Sequence, residues 1–460
     1  MIDLLELRNF KSWSHTGEIK LAPLTALFGT NSSGKTSILQ SLLMLKQTTE
    51  SSDRRQALHL GDDRSLVNLG TFPEMLFKHD LNNKISLRIG WSPPEKIEVK
   101  DPTQKNKVIL SGQHLILSTQ VAWMKNGDKS SGHTVVEKMS YAFGGSEFGM
   151  EKKHEKEDEY TLFTNPPKNY KFKRYEGRPW ALPSPIKCYG FPDKVTGYYQ
   201  NAEFLSELEL AFENLCSSVF YLGPLREHPK RQYTWAGSRP EDMGRRGEGV
   251  VDALLSSRDK GETFRKSGKR DRFSLEELIA LWLRDLGLID SFSVKPIKED
   301  GQLFQVWVKR HPDATDVLLT DVGFGVSQIL PVLALCYYAP EGSTIILEQP
   351  EIHLHPMVQA GLADVFIDAI KTRNVQIILE SHSEHLLRRL QRRVAEDVLP
   401  TEKAALYFCS LSNGESVLKK LDLDMFGTIQ NWPEDFFGDE MGEIAATNQA
   451  AMKRREVKQQ

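Results

Sequence analysis

The chain has 460 residues, a net charge of -3, 40% apolar and 26% charged residues. At ~100–200 residues per domain this length predicts two or three lobes, or one core with insertions. The near-zero charge excludes a globally basic nucleic-acid binder, so any such surface is a local patch. Cys188, Cys216, Cys336 and Cys409 stand far apart, which argues against a cysteine zinc site or a disulfide framework. Asp3, Glu6 and Arg8 interrupt the first residues, unlike a secretory leader. The longest apolar stretch, Ile329 to Ala339, is well short of the ~20 residues that a membrane helix needs. The expectation is a cytoplasmic protein without a membrane segment.

Residues 2–13 begin as a strand, a second strand lies near Ile19–Leu21, and a third (Leu24, Ala26, Leu27, Phe28) feeds Gly29-Thr30-Asn31-Ser32-Ser33-Gly34-Lys35-Thr36. That octet reads G-x-x-x-x-G-K-[ST] and opens a helical pattern carried by Ile38, Leu39, Leu42, Leu43 and Leu45. Strand, glycine loop and helix make a phosphate cradle, because glycines let backbone N–H groups turn inward and the helix start adds its dipole. Lys35 would reach the outer phosphates and the Thr36 hydroxyl would ligate Mg²⁺.

From about 50 to 125, polar turns separate short alternating segments such as Ser86–Ile89 and Leu115–Leu117, the pattern of an antiparallel layer. Residues 126–200 read as the least regular part. Glu151–Glu159 reads as a solvated hairpin face. Lys168–Tyr175 alternates cations with aromatics, which suits an exposed strand or a single-strand contact. Helix returns at 200–217, and a strand at Val219–Leu222 ends in Gly223-Pro224-Leu225-Arg226. The basic run Arg265–Arg272 is a solvated loop or a phosphate contact. Ser274-x-x-Glu277 is a capping box that starts a helix over Leu275–Leu286. Phe292–Ile297 and Leu303–Lys309 form a hairpin about Asp300-Gly301.

The second chemical region starts at Gly323-Phe324-Gly325-Val326-Ser327-Gln328, which leads into an apolar helix over Ile329–Tyr338. A buried strand, Thr344–Leu347, ends in Glu348-Gln349-Pro350-Glu351-Ile352-His353-Leu354-His355-Pro356. After a helix over Val358–Ala369, the strand Val375–Leu379 ends in Glu380-Ser381-His382-Ser383. Functional groups at the carboxyl ends of parallel strands are the pattern of an α/β fold. His353-x-His355 puts two imidazoles close in sequence, but two histidines alone define no metal site, and packing is preferred.

Taken together, these stretches resemble an ABC-type ATPase of the RecF/SMC-like group. The nearest likeness is to bacterial AAA-family ATPases related to the overcoming-lysogenization-defect (OLD) proteins, in a subfamily ending in a short domain of unknown function. The opening strand Leu7-x-Asn9-Phe10-Lys11-Ser12, the P-loop Gly29–Thr36 and the signature region Gly323–Gln328 carry it. So do the Walker B strand Ile345–Pro350, the D-loop region Glu351–Pro356, the H-switch Ser381-His382-Ser383 and a tail over Gly427–Glu443.

The resemblance implies an α/β, ABC-type P-loop ATPase with a mixed central sheet, an antiparallel β layer and an inserted lobe. The expected lobes are 1–125, 126–310, 311–415 and a tail at 416–460. It implies an ATP-sandwich homodimer, with room for higher oligomers, in which one subunit's P-loop faces the other's signature. Asn31, Ser32, Ser33, Gly34, Lys35, Thr36, Ser37 and Lys11 would bind ATP, with Gly323, Gly325 and Ser327 from the partner copy. Thr36 and Glu348 would hold Mg²⁺. Gly323 stands where the group carries a serine, and Gln349 stands where it carries the glutamate that polarises the attacking water. Gln349 orients water without accepting a proton. Slow hydrolysis follows, with Glu351 or His382 as substitutes. The implied role is an ATP-driven switch over an effector, such as a nuclease from the same operon, in anti-phage defence. Two alternatives stand: an OLD-type nuclease using Asp435, Asp439, Glu440 and Glu443, and a RecF-like DNA clamp using Lys171, Lys173, Arg174, Lys269, Arg270 and Arg272.

Overall fold

A computed structural model describes residues 1–101, 104–125, 132–153, 159–166, 170–177, 181–298, 301–433, 436 and 440–459. At its centre six strands lie in the order Val219–Leu222, Thr344–Glu348, Gln376–Glu380, Leu24–Gly29, Ala404–Ser412 and Glu415–Lys420. The first five are parallel, and Glu415–Lys420 returns antiparallel at the edge. Parallel neighbours need crossovers, so helices cover both faces and the strands read as unbroken apolar runs.

Successive side chains on a strand point to opposite faces, and that alternation divides the molecule into two cores. Leu24, Ala26, Phe28, Ile345, Leu347, Ile377 and Leu379 face the helices Val250–Asp259, Leu275–Asp285, Phe324–Tyr338, Pro356–Arg373 and Glu384–Ala395. Leu27, Ile346, Ile378, Ala405 and Tyr407 face the helices Lys35–Glu50 and Phe204–Ser217, behind which lies an eight-stranded antiparallel sheet. Ser274 caps the Leu275–Asp285 helix, its backbone N–H 2.8 Å from Glu277 Oε2 and its hydroxyl accepting from the Glu277 N–H.

The antiparallel sheet contains Ile2–Phe10, Ile85–Trp91 and Leu115–Lys125. It continues past residue 125 through Gly132–Phe143, Ser146–Lys152 and Tyr160–Asn165. The stretch expected to be least regular thus holds some of the longest strands. Met139, Tyr141 and Phe143, all buried, give its period of two. Tyr170 and Phe172 are neither an exposed strand nor a stacking platform: they pack edge-on against Phe148. Lys168, Asn169 and residues 154–158 lie outside the described residues, as does Asp300 of the expected turn between Ser291–Pro296 and Leu303–Lys309. In the run 265–272, Arg265 pairs with Arg272 across a short hairpin. Lys266 is buried over the Trp282 ring and 2.6 Å from Asp285.

All four cysteines are free and buried. Among the described residues, no helix is long and apolar enough to cross a membrane. Phe436 stacks on Phe408 and Trp432, fastening the tail to the central sheet, and a helix over Glu440–Gln459 follows. Asp435 and Asp439, two of the carboxylates proposed for a nuclease site, lie outside the described residues, as do the side chains of Glu440 and Glu443.

Candidate functional site

The P-loop leaves its strand at Gly29, whose φ of +136° few side chains tolerate. A Cβ at Gly29 would stand 2.0 Å from the Cys409 carbonyl oxygen of the neighbouring strand, so the close approach requires glycine. Gly34 caps the helix in the left-handed region, φ +88°, with its carbonyl accepting from the Trp13 indole at 3.0 Å. A Cβ there would meet Ser416, Trp13 and Ser12. Asn31 and Ser32 are exposed at the loop tip, Ser33 bonds back to the Thr30 carbonyl, and Ser37 is buried.

Lys35 is 2% exposed and donates to the carbonyls of Thr30 and Gly29, at 2.7 and 3.2 Å. Burial lowers its pKa, and Glu380, at 3.9 Å, opposes that shift. The Thr36 hydroxyl donates to Glu380 Oε2 at 2.7 Å. Glu380 ends the strand beside the P-loop strand and pairs in register with Glu348 on the next strand. Two carboxylates therefore stand at adjacent strand ends. Burial pushes Glu348 up to about 7, with Glu380 adding to the rise, and burial likewise raises Glu380. Tyr221 donates to Glu348 Oε1 at 3.1 Å. Lys11 donates to Gln40 at 2.5 Å and faces Glu348 electrostatically.

Gln349 sits at φ +43°, its N–H bonded to the Glu380 carbonyl at 2.9 Å, and its side-chain amide partly offsets the rise that burial imposes on Glu380. Glu351 is buried; its Oε1 accepts from the His382 N–H at 2.7 Å and its Oε2 has no hydrogen-bond partner. The His382 side chain is exposed, against the alternative of a buried structural histidine. Partial desolvation and then Lys35 hold its pKa below the ordinary value.

A hydroxyl and two carboxylates are hard oxygen donors of the kind Mg²⁺ takes, alongside substrate phosphates. A raised carboxylate pair is also what a divalent cation relieves. Among the described residues no group of three or more His, Cys, Asp and Glu is placed to hold a metal ion. His355 instead caps the Pro356–Arg373 helix, accepting from the Met357 N–H.

Lys35, Thr36, Glu348, Glu351, Gln349 and His382 thus come together around Glu380. Gly323 and Gly325 do not join them: Gly323 is exposed at the start of the Phe324–Tyr338 helix, which packs on the sheet face opposite the P-loop helix. Ser327 is buried in that helix. Sequence reasoning missed two groups. Glu380 carried a signal, an acid at a strand tip beside the H-switch. Arg226, buried near Glu348 and Glu351, carried none beyond its place after a strand.

No curated protein matches the chain. Among solved structures, an SMC head bound to the C-winged helix domain of ScpA is 12% identical, with TM-score 0.44, covering 92% of this chain and 98% of its own. The SMC head domain from Thermotoga maritima is 12% identical, with TM-score 0.40 and coverages of 92% and 99%. An Smc head with an extended coiled coil, bound to the C-terminal domain of ScpA from Pyrococcus furiosus, is 11% identical, with TM-score 0.44 and coverages of 91% and 96%. The family described as "Protein of unknown function (DUF3696)" matches residues 399–446, across the hairpin and tail that back the P-loop. The family described as "AAA ATPase domain" matches residues 1–177 and 252–387. That match takes in more than half of the chain, with the P-loop and every carboxylate gathered around it, and the chain belongs to the AAA ATPase domain family.

Proposed function

We propose that this ATPase is a nucleotide-gripping switch: it closes as a homodimer around Mg·ATP, hydrolyses it slowly, and so controls a partner effector. The observation that carries this is the cluster in which Lys35, Thr36, Glu348 and Gln349 converge on Glu380. Lys35 neutralises the outer phosphates, backbone N–H groups of the loop hold the β-phosphate, and Asn31 to Ser37 line the cradle. Bound Mg²⁺ would neutralise developing phosphate charge, held by Thr36 with Glu348 and Glu380 nearby. Gln349 orients the attacking water, and Glu351 or His382 takes its proton. Slow turnover follows from the neutral Gln349.

The placement of the Lys35–Glu50 and Phe324–Tyr338 helices on opposite sheet faces supports a composite site, with Gly323, Gly325 and Ser327 offered by a second copy. The motif resemblance supplies the setting: an effector nuclease, encoded beside this chain, in cytoplasmic anti-phage defence.

The test is ATP turnover and gel filtration of the wild type beside Lys35→Ala and Gln349→Glu. Lys35→Ala is expected to lose nucleotide binding and nucleotide-dependent dimerisation, and Gln349→Glu to turn over faster. A fast wild type unchanged by Gln349→Glu, or an assembly state indifferent to ATP, refutes the reading.

A further inference from the structure

The strand Val219–Leu222 is the outermost of the parallel set, next to the strand that ends in Glu348. Beyond its end the chain is pinned on both sides of residue 226: the Gly223 N–H bonds the Arg245 carbonyl at 2.8 Å and the Glu227 N–H bonds the Arg246 carbonyl at 3.0 Å. Between these anchors Arg226 turns inward and is 5% exposed. Its Nε and both terminal nitrogens have no hydrogen-bond partner. Tyr221, Glu348 and Glu351 are the groups in its electrostatic reach, and Glu351 in turn faces Lys35.

A buried guanidinium with every donor unmade is costly, so the working site must bring acceptors to it. Glu351 Oε2 is unpartnered as well and does not bond the guanidinium. A guanidinium fork offers five N–H donors and suits two oxygens of a single phosphate. The Arg226 strand stands three places from the P-loop strand, about 14 Å at ~4.8 Å per strand. Charge agrees: Glu348, Glu351 and Glu380 face Lys11, Lys35 and Arg226, so without Arg226 a polyphosphate would meet a net negative cluster.

We propose that Arg226 is a further ligand-binding residue of the nucleotide site, taking oxygens of the terminal phosphate opposite Lys35 and so selecting triphosphates over diphosphates. This rests on the nucleotide-site reading above.

Calorimetric titration of the full chain with a β,γ-imido ATP analogue and with ADP, both with Mg²⁺, tests it. Arg226→Ala is expected to weaken the triphosphate analogue about 10–100-fold. ADP affinity should change less than about twofold, and Arg226→Lys should recover part of the loss. If Arg226→Ala lowers the melting midpoint, Arg226→Gln, longer and uncharged, replaces it in the same comparison. A variant that keeps the wild-type ratio of the two affinities, whether both fall or neither does, overturns the assignment alone. A wild type that binds neither nucleotide overturns the nucleotide-site reading, and the assignment with it.

Discussion

Replacing Glu348 by Gln removes a buried charge but keeps an acceptor for the Tyr221 hydroxyl. Burial, then Glu380 at the matching register position of the adjacent strand, lift Glu348 from 4.5 to about 7. A carboxyl with a raised folded value binds its proton more tightly in the native state. Its contribution to stability is complete below 4.5 and is lost as pH climbs to about 7. At 1.36 kcal/mol per pH unit the full loss is about 3 kcal/mol, of which about 2.5 falls between pH 5 and pH 8. Glu348→Gln carries no such loss. Relative to wild type it should gain about 2.5 kcal/mol between those two pH values, a large share of the ~5–15 kcal/mol that holds a typical domain together. The assay is urea unfolding of both proteins at pH 5 and pH 8, with chelator and without nucleotide. A stability difference equal at the two pH values would refute the reasoning, because Glu348 would then be unburdened by Glu380 or by burial.

Gly29→Ala forces a Cβ against the Cys409 carbonyl at a positive φ, and should cost about 3 kcal/mol in denaturant unfolding and abolish ATP binding. Gln349→Glu adds a fourth carboxylate to Glu348, Glu351 and Glu380. It should raise turnover about 10-fold or more, read in steady-state kinetics, while lowering the melting midpoint at pH 8. Ser274→Ala breaks the capping box and should cost about 1 kcal/mol in urea unfolding with turnover unchanged.

The motifs were legible because each is contiguous. Gly29–Thr36, Glu348–Glu351 and Ser381–Ser383 announce strand ends by composition, and the structure brings all three to the carboxyl ends of adjacent parallel strands. What brought them together was not legible. The strand order, with Gln376–Glu380 between the P-loop strand and the Glu348 strand, depends on crossovers that leave no local mark. Glu380 therefore reads as one acid among many until the register sets it against Glu348. Residues 126–200 looked irregular because charge runs and prolines masked the alternation of Met139, Tyr141 and Phe143. The aromatics at Tyr170 and Phe172 looked like a binding surface because their partner, Phe148, lies more than twenty residues away in sequence.

The P-loop leans on residues from the far end of the chain. Gly29 lies against Cys409, and Gly34 against Ser416, whose hydroxyl bonds Ser12 at 2.6 Å. A ribosome adding about 5–20 residues per second places Cys409 roughly 20–80 s after Gly29. Throughout that interval the nascent loop has its glycines and its lysine but not the strand behind it. Competence to hold nucleotide thus waits for that hairpin, and a chain cut before it would carry an intact motif with nothing to brace it. Two segments far apart in sequence are each unfinished at this spot until the other is in place.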